Sequence, residues 1–333
     1  MNAVLWLTQP LPGESEITSL LYDCGFTVYA IAPLLASSPD LRLVAQQAQI
    51  SMQDQVRPDV VLTHESDRKF AFTECKANSF GPSSSTANQV RSLLVVAGPQ
   101  AAEVLGSSPE QVLGSLLAFV IPEDDRNLLT QTLASLANEL SKNGLPTGQF
   151  AVIGLLATDT DINIAIDDQG RAFFGLSSSI TPFMKRESDT DPRALYFIPY
   201  DPDVDQSPEE RVFCKRVLFE RIHSTIVAAV GHVTPPVELP LQSQKILNDA
   251  MFGMYAHWEN RDAARHMRQL CRQFVEALAQ AVNGAVSGAM VFQPGEGWKI
   301  CLQNEGQLEK VVDAMTRFSC ETLDLQVEPQ PSL

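Results

Sequence analysis

The sequence predicts an α/β fold in which a mixed sheet is flanked by helices. Over the first 145 or so residues, runs rich in Val, Ile and Phe alternate with segments of helical periodicity. Two of these runs, RPDVVLT and KFAFTECKA, are separated only by the turn-like HESDR, which predicts a β-hairpin. From about Glu209 onward the pattern changes, which predicts a mostly helical α+β region at the C-terminal end.

The elements of the first region follow from local signals. Gly25 is a helix stop, and Ser85 and Thr86 are capping residues at a helix start. Acids at 123–125 favour a helix N-terminus through the helix dipole. In chain order the predicted elements are a helix over 14–24, a strand over 26–33, hairpin strands over 57–63 and 69–77, a helix over 85–98, a strand over 114–122 and a helix over 122–144.

Three more strand-like runs follow, at 150–160, 161–168 and 170–178, with DDQG as a hairpin turn. These runs either extend the first sheet or begin a second domain, and we predict the second. The predicted domains are therefore residues 1–148 and residues 149–330, the latter with a role in targeting, assembly or regulation. Residues 178–194 are expected to form an irregular loop.

The composition is that of a soluble globular protein, with 44% hydrophobic and 19% charged residues among 333. No apolar run approaches the roughly 18 residues of a membrane span, and the first residues lack a basic segment, so we expect a cytoplasmic protein without membrane association. The net charge of −16 counts against non-specific attraction to phosphate backbones. A nucleic-acid substrate would need a local basic patch, a metal ion or a partner subunit.

The six cysteines contain no CxxC pair, which fits reduced thiols better than a disulfide framework or a zinc site. The five histidines do not cluster either. His257 and His266 are nine residues apart, which is not a chelating spacing on one helix face.

The predicted hairpin carries three charged residues in segments otherwise suited to burial. Glu74 and Lys76 are two apart and therefore share one face of their strand. Asp59 begins the preceding strand, and the connection brings it back beside Glu74. Two carboxylates at one sheet end suit Mg²⁺ or Mn²⁺, and a neighbouring lysine can orient a water or neutralise charge on a phosphate oxygen.

P-D-V-V-L followed by E-C-K resembles the PD-(D/E)xK nuclease superfamily. The segment GESEITSLLYDCGFTV is similar to the opening of the archaeal Holliday-junction resolvases, with an acid, a helix, Gly-Phe and a strand. The resemblance covers about residues 10–125. It implies a restriction-endonuclease-like core, made of a helix, a strand hairpin and a further helix and strand on one mixed sheet.

The resemblance also implies roles for residues of the hairpin. Asp59 and Glu74 would hold the metal ion, with the backbone carbonyl of Cys75 as a further ligand. Lys76 would position the attacking water. The implied reaction is the hydrolysis of a phosphodiester by a metal-activated water.

Two further positions match the resemblance less directly. Glu14, with Glu16 as the second choice, would act through water or on a second ion. Gln89 would steady the site or a phosphate from the following helix, which also carries Asn88 and Arg91.

Other interpretations of the same residues stay open. Glu74 and Lys76 also fit a solvated charge pair on a hairpin, although Phe70 and Phe72 share their face. A nuclease fold that serves as a scaffold or regulatory subunit of a complex would keep the fold without the catalysis. An unrelated α/β assembly protein would use these charges only for solvation.

Outside the resemblance, Arg261, Arg265, Arg268 and Arg272 follow the i, i+4, i+7, i+11 spacing of one helix face. Such a face could follow a phosphate backbone or dock an acidic partner, and it also fits a solvated basic stripe.

The function predicted from the sequence is that of a Mg²⁺- or Mn²⁺-dependent nuclease. DNA is the expected substrate, with RNA left open, and the resemblance fits an effector of a prokaryotic anti-phage or restriction system. The acidic charge favours a protein that cuts inside a complex, so we also expect a protein partner or a homo-oligomer.

Overall fold

The computed structural model describes residues 1–9, 19–108, 112–158, 161–185, 197–202, 207–295 and 297–318. The chain divides into two compact units, each described below by itself. The first comprises Met1–Asp191 with His257–Asn260, and the second comprises Pro192–Ala256 with Arg261–Leu333.

In the described part of the first unit, seven strands form one sheet in the order β1-β4-β5-β6-β7-β8-β9. Their bounds are β1 (Thr27–Ile31), β4 (Val60–His64), β5 (Lys69–Cys75), β6 (Gly114–Pro122), β7 (Gln149–Ala157), β8 (Asp161–Ile166) and β9 (Ile180–Lys185). The short strands β2 (Leu35–Ala36) and β3 (Gln55–Val56) pair separately.

The sheet is mixed, as the sequence predicts. Strands β1, β4 and β5 are antiparallel neighbours, β5, β6 and β7 run parallel, and β8 and β9 return antiparallel. The hairpin of β4 and β5 pairs Val60 with Thr73 and His64 with Lys69. Its register places the chain before β4 against the end of β5.

The predicted domain boundary between residues 148 and 149 is corrected by this topology. Strand β7 pairs with β6 from Leu116 opposite Gln149 onward, so residues 149–185 continue the first sheet. The parallel β6–β7 pair requires a crossover connection, which the long helix between them provides. The two compact units divide near Asp191 instead.

Helices cover the sheet of the first unit. They are α1 (Asn2–Leu7), α2 (Leu20–Asp23), α3 (Pro39–Gln47), α4 (Ser85–Val96), α5 (Ala101–Val104), α6 (Glu123–Lys142) and α7 (Asp168–Phe174). Helix α4 begins at Ser85, as the sequence predicts, but its cap is Ser84 rather than Ser85 or Thr86: Ser84 Oγ accepts a hydrogen bond from the backbone N–H of Ala87 at 3.2 Å.

Helices α4 and α6 pack on one face of the sheet around a single apolar cluster. Phe72 and Phe119 from the strands, Leu93 from α4 and Leu133 from α6 are fully buried in it. Residues two apart on a strand share a face, so Glu74 points to the same side of β5 as Phe72. The apolar packing therefore holds α4 above the last residues of β5.

Two predictions for residues 167–185 are wrong. The run GRAFFGLSS lies largely in helix α7, because Asp167 Oδ1 accepts from Gly170 N–H at 2.7 Å and caps that helix. The DDQG segment is thus a helix start rather than a hairpin turn. Residues Ile180–Lys185 form the edge strand β9 rather than an irregular loop.

The second unit is mostly helical, as predicted. Its helices are α8 (Pro208–Gly231), α9 (Ser243–Ala250), α10 (Arg261–Ala285) and α11 (Glu305–Arg317), with a 3₁₀ turn at Met254–His257. Strands β10 (Val237–Leu241), β11 (Met290–Gln293) and β12 (Gly297–Leu302) form an antiparallel sheet in the order β10-β12-β11. The apolar face of α10 is buried through Met267, Leu270 and Phe274.

Across the described ranges, every helix is too short or too polar to cross a membrane.

A close contact between α6 and β7 gives a first testable prediction. Glu123 pairs with Arg126 at 2.7 Å, and its carboxylate lies where a Cβ on Gly154 would stand. We expect Gly154→Ala to lower the free energy of unfolding by about 1–3 kcal/mol, because the added methyl group overpacks this contact. Urea titrations measure the change. Glu123→Ala in the same chain should restore most of the loss. Gly81→Ala, where nothing lies within 4 Å, is the control. If Gly154→Ala lowered the free energy of unfolding as much in the Glu123→Ala chain as in wild type, the contact with Glu123 would not be the cause of the loss.

Candidate functional site

The charged residues of the hairpin meet at one end of the β4–β5 pair. Asp59 immediately precedes β4, Glu74 lies near the end of β5, and Lys76 follows β5. Because Val60 pairs with Thr73 in an antiparallel ladder, Asp59 lies opposite Glu74. The sequence prediction that these residues converge is confirmed.

Each carboxylate accepts a hydrogen bond from a backbone N–H on the opposite side of the hairpin end. The N–H of Asp59 donates to Glu74 Oε2 at 3.3 Å, and the N–H of Cys75 donates to Asp59 Oδ2 at 2.7 Å. Each acid therefore occupies the position where a further rung of the ladder would form. This pair of hydrogen bonds is unlike a solvated hairpin surface, where side chains point into water.

Lys76 and Gln89 complete the cluster around Glu74. Lys76 Nζ lies 2.6 Å from Glu74 Oε1, and the Lys76 N–H donates to the Val120 carbonyl of β6 at 2.9 Å. Gln89 Nε2, from helix α4, donates to the same Glu74 oxygen at 3.1 Å. The structure thus brings together Asp59, Glu74, Lys76 and Gln89, in line with the sequence-based expectation.

The other two polar residues considered on α4 serve its packing. Arg91 Nη2 pairs with Glu139 of α6 at 2.9 Å, and Arg91 Nη1 donates to Asn88 at 3.0 Å. These contacts join α4 to α6 and hold α4, and with it Gln89, in place.

Burial gives the cluster unusual electrostatics. Glu74 is only 2% exposed, and this burial, reinforced by the negative charge of Asp59, raises the pKa of Glu74 to about 7, against the opposing effect of Lys76. Burial alone would lower the pKa of Lys76, but the charge and hydrogen bond of Glu74 outweigh it and raise that pKa. Lys76 is therefore a protonated donor at neutral pH.

Burial also raises the pKa of the Cys75 thiol to about 11. The thiol is thus neutral near pH 7, which makes its sulfur a poor nucleophile. The role that the sequence assigns to Cys75 lies in its backbone. Its N–H is the donor to Asp59, as described above.

Two carboxylates and a backbone carbonyl are hard oxygen ligands of the kind Mg²⁺ and Mn²⁺ prefer. Asp59 Oδ1 accepts no hydrogen bond from the described residues, which leaves one oxygen open to a cation. Within the described ranges, no group of three or more His, Cys, Asp or Glu side chains is placed to hold a metal ion. The described cluster therefore supplies two acidic ligands rather than a complete cage.

The remaining predicted acid, Glu14, and its alternative, Glu16, lie outside the described residues. Their proposed action on the cluster stays a prediction. Helix α2 spans Leu20–Asp23, and Gly25 follows it with φ at +87° before β1 begins.

Sequence reasoning missed two acids at the same edge of the sheet. Strands β5 and β6 run parallel, so their C-terminal ends lie at the same edge of the sheet. Glu123, directly after β6, therefore lies at the edge where Lys76 follows β5. Asp125 Oδ1 accepts from Ser79 Oγ at 2.6 Å and ties the chain after Lys76 to the start of α6. The available signal was an acidic run directly after a buried strand, which we interpreted only as a helix N-terminus.

The four predicted arginines all lie on α10 in the second unit. Arg261 and Arg265 are exposed, and Arg265 pairs with Asp262 of the same helix at 3.3 Å. Arg268 is half-buried, and Arg272 is exposed. The helical spacing is confirmed, while binding of nucleic acid or a partner by this face stays a prediction.

No protein-family model, curated protein or solved structure gives a significant match to this chain. The fold and the cluster define its class only as an α/β protein with a seven-stranded mixed sheet, in the described ranges, and a buried cluster of two carboxylates, a lysine and a glutamine. Any narrower assignment depends on the chemistry of that cluster.

The raised pKa of Glu74 gives a prediction about stability in metal-free buffer. The folded-state pKa of Glu74, about 7, lies above the ordinary 4.5. The protonated Glu74 carboxyl therefore contributes its full share of folding stability below pH 4.5, and this contribution is lost as pH rises through 7. Glu74→Gln lacks this loss. We expect the variant to gain stability relative to wild type between pH 4.5 and 8, by on the order of 3 kcal/mol.

Urea unfolding with EDTA across that pH range measures the difference. Glu65→Gln, in the exposed hairpin turn, is the matched control and should follow the wild-type curve. A Glu74→Gln curve parallel to wild type would show that Glu74 is not destabilised by ionisation.

Proposed function

We propose that this protein is a metal-dependent nuclease that hydrolyses phosphodiester bonds, with DNA as the expected substrate. The observation that carries the proposal is the convergence of two carboxylates and a lysine: Asp59 N–H donates to Glu74 Oε2, Cys75 N–H donates to Asp59 Oδ2, and Lys76 Nζ lies 2.6 Å from Glu74 Oε1. Buried ionisable groups whose pKa values are strongly shifted cluster at functional sites.

The strand order supports the same proposal. Helix α2 precedes β1, the hairpin β4–β5 follows, and helix α4 leads to β6, which pairs parallel to β5. This is the succession implied by the resemblance to the PD-(D/E)xK nucleases. The cluster lies at the end of β5, where the E-C-K segment of that resemblance is found.

Each residue of the cluster has a role that follows from its contacts. Asp59, Glu74 and the Cys75 carbonyl would hold the divalent cation, which supplies charge neutralisation and a more acidic bound water. Gln89 donates to Glu74 Oε1 and so fixes the orientation of that carboxylate. Lys76, kept protonated by Glu74, donates hydrogen bonds to a water or to a phosphate oxygen and does not accept a proton.

In the proposed reaction, a water oxygen bonds to phosphorus and one phosphorus–oxygen ester bond breaks. The products are a phosphate monoester and a free hydroxyl, and one proton passes to solvent. The positive charge of Lys76 is most useful while negative charge grows on the phosphoryl oxygens.

The nuclease proposal is tested with linear and plasmid DNA in Mg²⁺, in Mn²⁺ and in EDTA. We expect wild-type cleavage with either cation, none in EDTA, and a loss of at least about 100-fold in Lys76→Ala and in Glu74→Gln, because each removes charge from the site.

The matched control is Lys69→Ala, at the other end of β5, where Lys69 pairs with Asp67 at 2.8 Å. It should cut like wild type. Circular dichroism and thermal melting of each variant separate lost chemistry from lost folding. If Lys76→Ala and Glu74→Gln cut as fast as wild type while Lys69→Ala does too, the site assignment is wrong.

A second candidate is a nuclease fold used as a non-catalytic scaffold. Two observations favour it: Lys76 already neutralises one Glu74 oxygen, and within the described residues no third His, Cys, Asp or Glu side chain joins the two acids in a group that could hold a metal ion. In this case the cluster would be a buried ion pair that holds the β4–β5 end together, without binding a cation.

Calorimetric titration with Mn²⁺ distinguishes the two candidates. For the nuclease we expect Mn²⁺ binding that Asp59→Asn weakens about tenfold or more, because the open Oδ1 and its charge are changed. Asp67→Asn, in the exposed turn of the same hairpin, should bind like wild type. Wild-type protein that binds no Mn²⁺, or binds it unchanged in Asp59→Asn, would support the scaffold.

A further inference from the structure

The second unit contains a cavity of about 660 Å³ between its small sheet and helix α10. Six of its lining residues matter for what it can bind. They are Ser243, Arg268, Arg272, Glu276, Phe292 and Trp298. The volume falls in the range of small-molecule sites, about 300–1,000 Å³.

One wall is cationic. Arg268 Nη1 donates to Tyr255 Oη at 2.9 Å, and Tyr255 Oη in turn donates to the Ala264 carbonyl at 3.1 Å. This chain of hydrogen bonds holds the Arg268 guanidinium in place while its other N–H groups are left for a ligand. Arg272, one turn further along α10, makes no hydrogen bond or ion pair with any described residue. Two neighbouring guanidinium groups of this kind suit phosphate oxygens.

The start of α9 adds to this positive wall. Ser243 is the first residue of α9, and no side chain caps that helix. Its first N–H groups are therefore left without an internal acceptor, beside the two arginines. By itself a helix start would identify no site, but here it borders the same cavity as both guanidinium groups.

A second part of the cavity wall is aromatic. Phe292 of β11 and Trp298 of β12 are paired across the antiparallel ladder, with ring centroids 5.6 Å apart. Phe292 is 56% exposed, which is unusual for so large an apolar ring. Gly295 and Gly297 also line the cavity and add no side chain to fill it. Flat exposed rings beside cationic groups suit a ligand with a planar ring of its own.

The charge balance limits the ligand further. Glu276 adds one carboxylate to the cavity, one helical turn beyond Arg272. A purely apolar ligand would remove the guanidinium groups from water without a partner. A small inorganic anion would leave both rings unused. The cavity needs a ligand with phosphate at one end, a ring at the other and hydroxyl donors for the carboxylate.

We propose that this cavity binds a nucleotide. The phosphate lies against Arg268, Arg272 and the start of α9, the base lies against Phe292 and Trp298, and a sugar hydroxyl donates to Glu276. The ligand is either a free nucleotide or the phosphorylated end of a nucleic-acid strand. The proposal does not depend on the metal cluster of the first unit.

The test is calorimetric titration of the full chain in EDTA, so that metal binding and cleavage do not contribute. The probes are dAMP, deoxyadenosine, inorganic phosphate and a 5′-phosphorylated single strand of about ten nucleotides. We expect dAMP to bind more tightly than deoxyadenosine or phosphate alone, because only dAMP contacts both walls. Arg272→Ala should weaken dAMP about tenfold or more, and Phe292→Ala several-fold.

Arg265→Ala is the matched control, because Arg265 lies on the same helix, is exposed and pairs with Asp262. It should bind dAMP like wild type. Since Arg272 and Phe292 are both exposed, their truncation should leave the thermal melting temperature close to that of wild type. A strand that binds at least as tightly as dAMP identifies a strand end, and a strand that binds more weakly than dAMP identifies a free nucleotide.

Three outcomes would overturn the proposal. The first is no heat of binding with either dAMP or the strand. The second is unchanged binding of both in Arg272→Ala. The third is that inorganic phosphate binds as tightly as dAMP. The base would then contribute nothing to the affinity, and Phe292 and Trp298 would not be part of a nucleotide site.

Discussion

The candidate site depends on one constraint, which is the register of the hairpin formed by β4 and β5. The Glu74 carboxylate can accept from Asp59 N–H, and the Asp59 carboxylate from Cys75 N–H, only because Val60 pairs with Thr73. A slip of one residue would turn every side chain of one strand to the other face. The apolar residues prevent the slip, because Phe72 must lie in the cluster beneath α4 and α6. The core therefore specifies the position of the charges.

The same packing makes the charges energetically unfavourable. The core that fixes Glu74 also removes it from water, and the nearby charge of Asp59 adds repulsion. Lys76 offsets part of this, and Gln89 satisfies the same oxygen. In proteins generally, replacing a buried ion pair by apolar residues of similar volume is often neutral or stabilising. A cluster kept at such a cost is more readily explained by chemistry than by stability, which is why the nuclease proposal takes precedence over the scaffold.

Much of the first unit follows from local sequence signals, and what does not follow is non-local. The hairpin, helix α4 and strand β6 are where periodicity and capping place them. Helix α7 is missed because Asp167 serves equally as a turn residue and as a helix cap, and only the buried packing of Phe174 against Phe26 distinguishes the two. The domain boundary is missed because a parallel pairing across a long helix leaves no signal in either strand alone.

The candidate site was accessible to prediction because its residues are close in sequence, whereas the cavity in the second unit was not. Its walls come from the sheet of β10, β12 and β11, from the start of α9 and from four residues of α10, which meet only after the unit has folded. The arginine spacing indicated a helix face, but not which arginines border a cavity. Arg265 and Arg272 look equivalent in the sequence, yet Arg265 pairs with Asp262 and Arg272 lines the cavity.

The two sites also obtain positive charge in different ways, which bears on how an acidic chain can bind phosphate at all. In the first unit Lys69, Lys76, Arg91 and Arg126 are each paired with a carboxylate. Their charge is largely offset, so phosphate binding there would rely mainly on a cation recruited by Asp59 and Glu74, with Lys76 as an additional donor. In the second unit the positive charge is supplied by a side chain, because Arg272 has no acidic partner among the described residues. Removal of divalent cations should therefore weaken phosphate binding at the first site and leave it unchanged at the second. Only the first site would depend on a cation taken up from solution.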